Sequence, residues 1–344
     1  MVTVRVPGLG WSARLDLRAA AVTAAALVLA LAVFVWSLAV GDFPLSVGDV
    51  VAALLGGGDR AGRMIVTTLR LPRGLAALLV GAAFGLSGAI LQRLARNPLA
   101  SPDVIGVNAG AALAAVFAIV LLGAGGTDVT LAALAGGGAA ALAVAGLSWR
   151  GGITGYRLVL VGVGVTAVLT AGTSYLLTRA RVYEAQRAMI WLTGSLNGRT
   201  WDQVRPVALA LAVLVPAALV LARSLRTLEL GDDAARGLGV AVDRARGGLF
   251  AVAVTLAAVA TASAGPIAFV ALVAPQIARR LVRARTVALL PSAAVGALLL
   301  AAADLVGRRI VAPTELPVGI VTAVLGAPYL LYLLARANRI GAAG

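Results

Sequence analysis

The chain has 344 residues, 61% of them hydrophobic and only 12% charged, against about 25% charged in an ordinary globular protein. That balance excludes a water-soluble fold: the apolar residues suffice for around ten bilayer-crossing helices of about 20 residues each and leave no room for a separate catalytic domain. The formal net charge is +15, all 29 basic residues are Arg, and Lys, His and Cys are absent.

These absences narrow the chemistry. Without Lys, a P-loop of the G-x-x-x-x-G-K-[ST] kind cannot form, so the chain has no ATP site of that type. Without His or Cys there is no zinc, haem or copper site of the common kinds, no disulfide and no thiol nucleophile. The reading is therefore a non-enzyme that binds no metal and no cofactor of its own. Arg residues in short loops between apolar stretches act as topology signals rather than as a nucleic-acid surface, so no nucleic-acid partner is expected.

In chain order, Arg5, Arg14 and Arg18 precede a long apolar run that lacks an A-x-A cleavage site. This reads as an uncleaved first span behind a cytoplasmic segment 1–18. Uncharged runs predict spans near 19–41, 74–92, 104–127, 129–149, 158–178, 206–222, 286–303 and 316–335. The run Gly247–Ala278 is 32 residues long and is interrupted by Gly265-Pro266, so it predicts two helices, the second short. The fold expected is a single transmembrane domain over 1–344, an all-α polytopic membrane protein with ten transmembrane helices. A division near 190 leaves five spans on each side, which sets two five-helix halves in inverted orientation. With the N-terminus inside, 18 Arg fall on the inner side and 11 on the outer, with net charges of +12 and +3; both termini are predicted to be cytoplasmic.

Outer segments 42–73 and 179–205 are too long for simple turns and predict short helices on that face. The inner loop 223–246 packs five Arg and four acids into 24 residues, with an apolar residue every three or four positions, and predicts a compact cytoplasmic helical element. Most of the 41 Gly read as close-packing positions between helices.

Three groups of residues could carry function. Arg70 and Arg73 bracket Pro72, and Arg308 with Arg309 lies in the last outer loop; they serve either as interface residues holding lipid headgroups or as docking points for a partner's carboxylates. The inner stretch 94–111 clusters turn and helix-start residues, Asn97-Pro98 and Ser101-Pro102-Asp103, beside Gly106, Asn108 and Gly110: a structural turn, or a segment bordering a path. The stretch 228–240 has acids in front and Arg236 behind, then Gly237 and Gly239, which fits a solvated helix-turn or a knob seated on a motor subunit. Asp304 is the one acid near the interior of a span, with Arg308 a turn away as the expected partner. A single such acid makes a poor ion-coupled pump, so a secondary transporter is the competing class.

Several blocks in the same order resemble the membrane-spanning permeases of ATP-binding-cassette importers for iron-siderophore complexes, haem and cobalamin. They are LRLPR (69–73), GAAFGLSGAILQRLARNPLASPDVIGVNAGA (81–111), WLTGSLNGRTW (191–201), LELGDDAARGLGV (228–240), AGPIAFVALVAPQIAR (264–279) and ELPVGIVTAVLGAPYLLYLL (315–334). Within the family, SLNGRTW and LELGDD are most similar to the second membrane subunits of ferric-enterobactin importers. The resemblance implies a ten-helix permease in the cytoplasmic membrane, paired with a like or related permease. Its further partners would be two ATPase subunits that use ATP and an extracytoplasmic binding protein, and its cargo a ferric siderophore, with cobalamin or haem as the rival cargo. It implies docking of the binding protein on Arg70, Arg73 and Arg308. It places two short coupling helices at the loop carrying Gly231, Asp232, Asp233, Ala235, Arg236, Gly237 and Gly239, and a cytoplasmic gate at Thr154, Gly155 and Tyr156. The translocation path would add Asn97, Ser101 and Asn108. Many relatives have Pro-His where this chain has Pro275-Gln276, a side chain that hydrogen-bonds but does not titrate.

Overall fold

A computed structural model describes residues 2–6, 11–41, 43–148, 155–283 and 287–341. Apart from one hairpin, the described residues form helices and their connections. The hairpin precedes the first helix and leaves the all-α class standing: β1 (Val2–Val6) pairs antiparallel with β2 (Trp11–Leu15). Valines alternating with polar residues at 2–6, followed by Pro7-Gly8, give the period of two that favours strands.

The helices are α1 (Leu17–Ala39), α2 (Val47–Leu54), α3 (Arg60–Met64), α4 (Leu71–Leu94), α5 (Val107–Leu121), α6 (Thr127–Ser148) and α7 (Gly155–Arg179). They continue as α8 (Val182–Leu192), α9 (Trp201–Leu228), α10 (Asp232–Gly237), α11 (Val242–Ala264), α12 (Val270–Val282), α13 (Leu289–Arg309) and α14 (Val318–Gly341). A π-helical turn, Ile65–Arg70, joins α3 to α4. Pro72 sits just beyond it; its ring cannot tolerate the ordinary carbonyl register one turn back, and the wider turn absorbs the mismatch.

Among the described residues, seven helices are long and apolar enough to cross a membrane: α1, the continuous Arg60–Leu94, α6, Tyr156–Arg179, α9, α11 and α13. Val107–Leu121 and Val318–Tyr332 are shorter apolar helices, and α12 has 13 residues. Two of the short ones follow irregular backbone. The segment 95–106 precedes α5, where Gly106 has φ 89°. The segment 265–269 precedes α12, where Gly265 takes φ 79° and Phe269 φ 68°. The Gly265-Pro266 break therefore falls where the sequence places it, and the second helix is short as expected.

α4 is the centre of the bundle, packed against α13, α11, α12 and α9. Small residues make this possible: a Cβ on Gly85 would overlap the carbonyl oxygen of Ser292, and one on Gly81 that of Gly296. Such backbone contact lets van der Waals packing replace the hydrophobic drive that is missing between helices in lipid. On α12, Pro275 leaves the Ala271 carbonyl without a helical donor, and Gly88 of α4 packs directly on that carbonyl. Ser87 adds a hydrogen bond from its hydroxyl to Ala253 O of α11, at 2.7 Å. α1, α7 and α9 instead turn apolar faces outward, through residues such as Val28, Val168 and Leu209, the pattern of helices that meet lipid or another subunit.

Candidate functional site

Polar side chains gather at the two ends of the bundle. At the end holding α2 and α8, Arg70, Arg73 and Arg308 are drawn inward rather than left on the surface. Arg70 is 8% exposed; its Nη1 donates to the carbonyls of Leu38 and Ala39, at 2.7 and 3.1 Å, and its Nη2 to Phe43 O. The guanidinium thus satisfies the last carbonyls of α1, which have no helical donor of their own. Arg308 makes the same kind of contact with Ser37 O and Val40 O, at 3.3 and 2.8 Å, and lies 3.9 Å from Glu315.

Arg73 holds the acids. Its Nε and Nη2 reach Asp304 Oδ1 at 3.1 and 2.9 Å, and its Nη1 reaches Glu315 Oε2 at 2.7 Å. Asp304 therefore pairs across to α4, and not with Arg308 one turn along its own helix. Rotamers on α13 turn Arg308 toward α1 instead.

Beside Arg73 a cavity of about 730 Å³ opens between the α5–α6 connection, α8 and the 193–200 loop; Arg187, Trp191, Asn197, Arg199 and Glu315 line it. Arg199 is held by its Nε, which donates to Ser195 O at 3.0 Å, and burial lowers its pKa below the ordinary guanidinium value. Trp191 lies in the apolar stretch 188–196, too short to span, with Arg187 just before it, and Arg199 lies in the SLNGRTW block; hydropathy marks none of the three as a site residue.

At the opposite end, α10 sits between the ends of α9 and α11. Only α10 stands as a separate helix in 223–246; the second short helix is the first turn of α11, reached through Leu238–Ala241. Gly231 takes φ 111° ahead of it and Gly239 φ 79° behind it. Asp232 accepts from Arg246 Nη1 and Nη2 at 2.8 and 2.6 Å, and from Arg96 at 3.5 Å. The Arg246 hydrogen bond, helped by the charges of Arg246, Arg96 and Arg236, holds its carboxyl below the usual range, against a smaller opposing effect of burial. Asp233 and Arg236 form an exposed pair at 3.3 Å, Ala235 is fully buried, and Gly237 is the last residue of the helix. Arg93 pairs with Glu229 at the foot of α9.

The remaining candidates fall in three places. Asn97 lines a cavity of about 490 Å³ at this end, with Arg93, Arg96, Gln276 and Arg279. Ser101 and Asn108 are buried; Asn108 donates to Asp103 and accepts from the Thr261 hydroxyl of α11 at 2.6 Å, a partner nothing in the 94–111 stretch identifies. Tyr156 is exposed in the first turn of α7, which Gly155 begins, and Thr154 lies outside the described residues. Gln276 bridges helix and loop, its Nε2 donating to Gln92 Oε1 at 2.6 Å and to Pro98 O at 3.2 Å.

Apolar helices packed backbone to backbone, with charged clusters confined to the ends, define a multi-pass helical membrane protein. Residues 28–336 match the model of the FecCD transport family, and the chain belongs to that family. It is 49% identical over 290 residues to the ferric enterobactin transport system permease protein of Escherichia coli (strain K12), covering 84% of this chain and 88% of the relative. It is 43% identical over 314 residues to the achromobactin transport system permease protein of Dickeya dadantii (strain 3937), covering 90% of each. A solved metal-chelate type ABC transporter in an inward-facing conformation superposes with a TM-score of 0.80 at 28% identity, covering 92% of this chain and 99% of that one.

Proposed function

We propose that this chain is the permease subunit of an ATP-binding-cassette importer that carries a ferric siderophore, of catecholate type, across the cytoplasmic membrane. The observation that carries the reading is α10, a short element fixed by Arg246 and Arg96 on Asp232 at the joined ends of α9 and α11. A part so tied to two long helices passes on displacement instead of absorbing it, as a seat for a motor subunit requires. The names of the relatives give the cargo class.

In this reading α10 faces the cytoplasm and α2 and α8 face outward. The three shorter helices α5, α12 and α14 join the seven long ones as ten crossings, with both termini cytoplasmic. The central α4 and α11, each followed by irregular backbone and a short helix, support two inverted five-helix halves. A second permease, like or related, packs on the outward-turned apolar faces. Two ATPase subunits bind ATP and seat Gly231, Asp232, Asp233, Ala235, Arg236, Gly237 and Gly239. This chain has no ATPase site of its own.

A loaded binding protein docks over Arg73 and Arg308, whose acids Asp304 and Glu315 exchange for the partner's carboxylates, while Arg70 fixes the α1–α2 connection beneath it. ATP-driven closure of the ATPases then alternates access to the path. Asn97, with Gly155 and Tyr156, stands at its inner mouth, and Ser101 and Asn108 hold the 95–106 segment that borders it. Uptake of radiolabelled ferric catecholate by cells with and without this gene tests the reading. Selective loss is expected; intact catecholate uptake with loss of cobalamin or haem uptake moves the cargo, and no loss of any of them sinks the importer.

A further inference from the structure

The outer cavity beside Arg73 has a volume in the range of small-molecule sites, about 300–1,000 Å³. Of the three guanidiniums that line it, Arg73 is already committed to Asp304 and Glu315. The other two are not. Among the described residues no carboxylate lies within ion-pair distance of Arg187 or Arg199. Arg187 donates to Ala124 O at 2.8 Å and lies over the Tyr183 ring, 5.9 Å from its centroid. Arg199 has the one hydrogen bond to Ser195 O, and its two terminal nitrogens have no protein acceptor among the described residues.

Partly buried guanidiniums without a counter-ion have lost water without gaining an opposite charge, so they favour an anion. Their positions are fixed rather than slack. The loop that carries Arg199 is pinned by Ser195 N–H to Ala264 O at 2.9 Å and by Gly319 N–H to Gly194 O at 3.0 Å. Trp191 and Ile190 add an aromatic and apolar part to the same lining. Anionic oxygens on a flat ring match this lining better than either a bare inorganic anion or a neutral solute does.

We propose that this cavity is a cargo subsite within the permease, where Arg187 and Arg199 pair with the phenolate oxygens of an anionic ferric catecholate and Trp191 stacks on its ring. The subsite rests on the importer reading and adds to it the place where cargo released from the binding protein first meets this chain. It shares Arg73 and Glu315 with the docking surface and differs from it in drawing its free charge from Arg187 and Arg199. Binding there is weak by need, since a tight site would retain its cargo.

The test uses the assembled importer in detergent, without its binding protein, titrated with ferric dihydroxybenzoate while tryptophan fluorescence is followed. Saturable, salt-sensitive quenching is expected, lost in Trp191→Phe, with affinity lowered about tenfold or more in Arg187→Gln and Arg199→Gln and partly kept in Arg199→Lys. The same variants should retain their unfolding temperature and their association with the binding protein, while uptake falls. Quenching that is unsaturable in the wild type, or unchanged in both Gln variants, overturns the subsite. So does loss of binding-protein association with chelate binding intact, which would make the cavity a docking surface. Failure of the importer reading itself shows separately, as uptake that does not depend on this gene.

Discussion

Arg73 near the start of α4 grips Asp304 near the end of α13 with two of its nitrogens and Glu315 with the third. The Arg73 and Asp304 side chains are 12% and 5% exposed. The contact closes one end of the helix pair α4 and α13, whose packing forms the core, so this charge is structural. Breaking a buried pair by removing one partner costs about 3–5 kcal/mol, because the other charge stays unpaired, whereas removing both costs far less. Arg73→Met, which strands Asp304, should lower the unfolding temperature of the purified protein sharply; Asp304→Leu, which leaves Arg73 its bond to Glu315, should lower it less, and the double variant should recover most of the Arg73→Met loss. Additive losses in the double variant would show that the two side chains do not act as a pair.

The Asp304 partner also marks the limit of what the sequence allows. Uncharged runs place the helices, because span length follows bilayer thickness, and Gly265-Pro266 locates the break between α11 and α12 by local backbone chemistry. Arg308, one turn from Asp304, is the neighbour a helix net offers; Arg73 lies 231 positions away, and only packing brings it near. α5 is shorter than its apolar run because Val104 and Ile105 continue the hydrophobicity while Pro102 and Gly106 turn the backbone. Arg70 is legible as a cation beside Pro72 but not as the cap of α1. The clamp on Asp232 joins Arg96 and Arg246 from distant stretches, so the sequence marks the knob but not what holds it.

Packing along α4 gives a second prediction. Gly85→Ala places a methyl against the Ser292 carbonyl, where both neighbours are backbone and cannot swing aside. Overpacking of this kind costs about 1–3 kcal/mol, and it should appear as a lowered unfolding temperature and reduced yield from membranes. Gly138→Ala on α6 is the control, since nothing lies within 4 Å of the added carbon; an equal loss there would refute the backbone-contact account.

The pH dependence of α10 follows from Asp232. Its carboxyl titrates below the ordinary value of 3.8 because the folded state favours the ionised form. The stabilisation is therefore complete above that ordinary value and is lost as pH falls through the lower folded one. Protection from hydrogen exchange across α10, corrected for the intrinsic pH dependence of amide exchange, should be constant through neutral pH and fall only in strong acid. Asp232→Asn should exchange fast at every pH and stimulate the ATPase poorly. Protection in Asp232→Asn equal to the wild type would remove Asp232 as the clamp.

Gln276 supports the last prediction. Its amide donates both to Gln92 and to the Pro98 carbonyl, so it ties α12 to α4 and to the start of the 95–106 segment. Gln276→Leu keeps the volume but leaves two acceptors without their donor, at about 1–3 kcal/mol for each buried group left unsatisfied. Gln276→His is more discriminating. A neutral imidazole has one N–H and can serve only one of the two acceptors. Uptake should therefore fall in the order wild type, Gln276→His, Gln276→Leu, as the acceptors served drop from two to one to none. Equal uptake in all three would show that the 276 contact does not control the 95–106 segment.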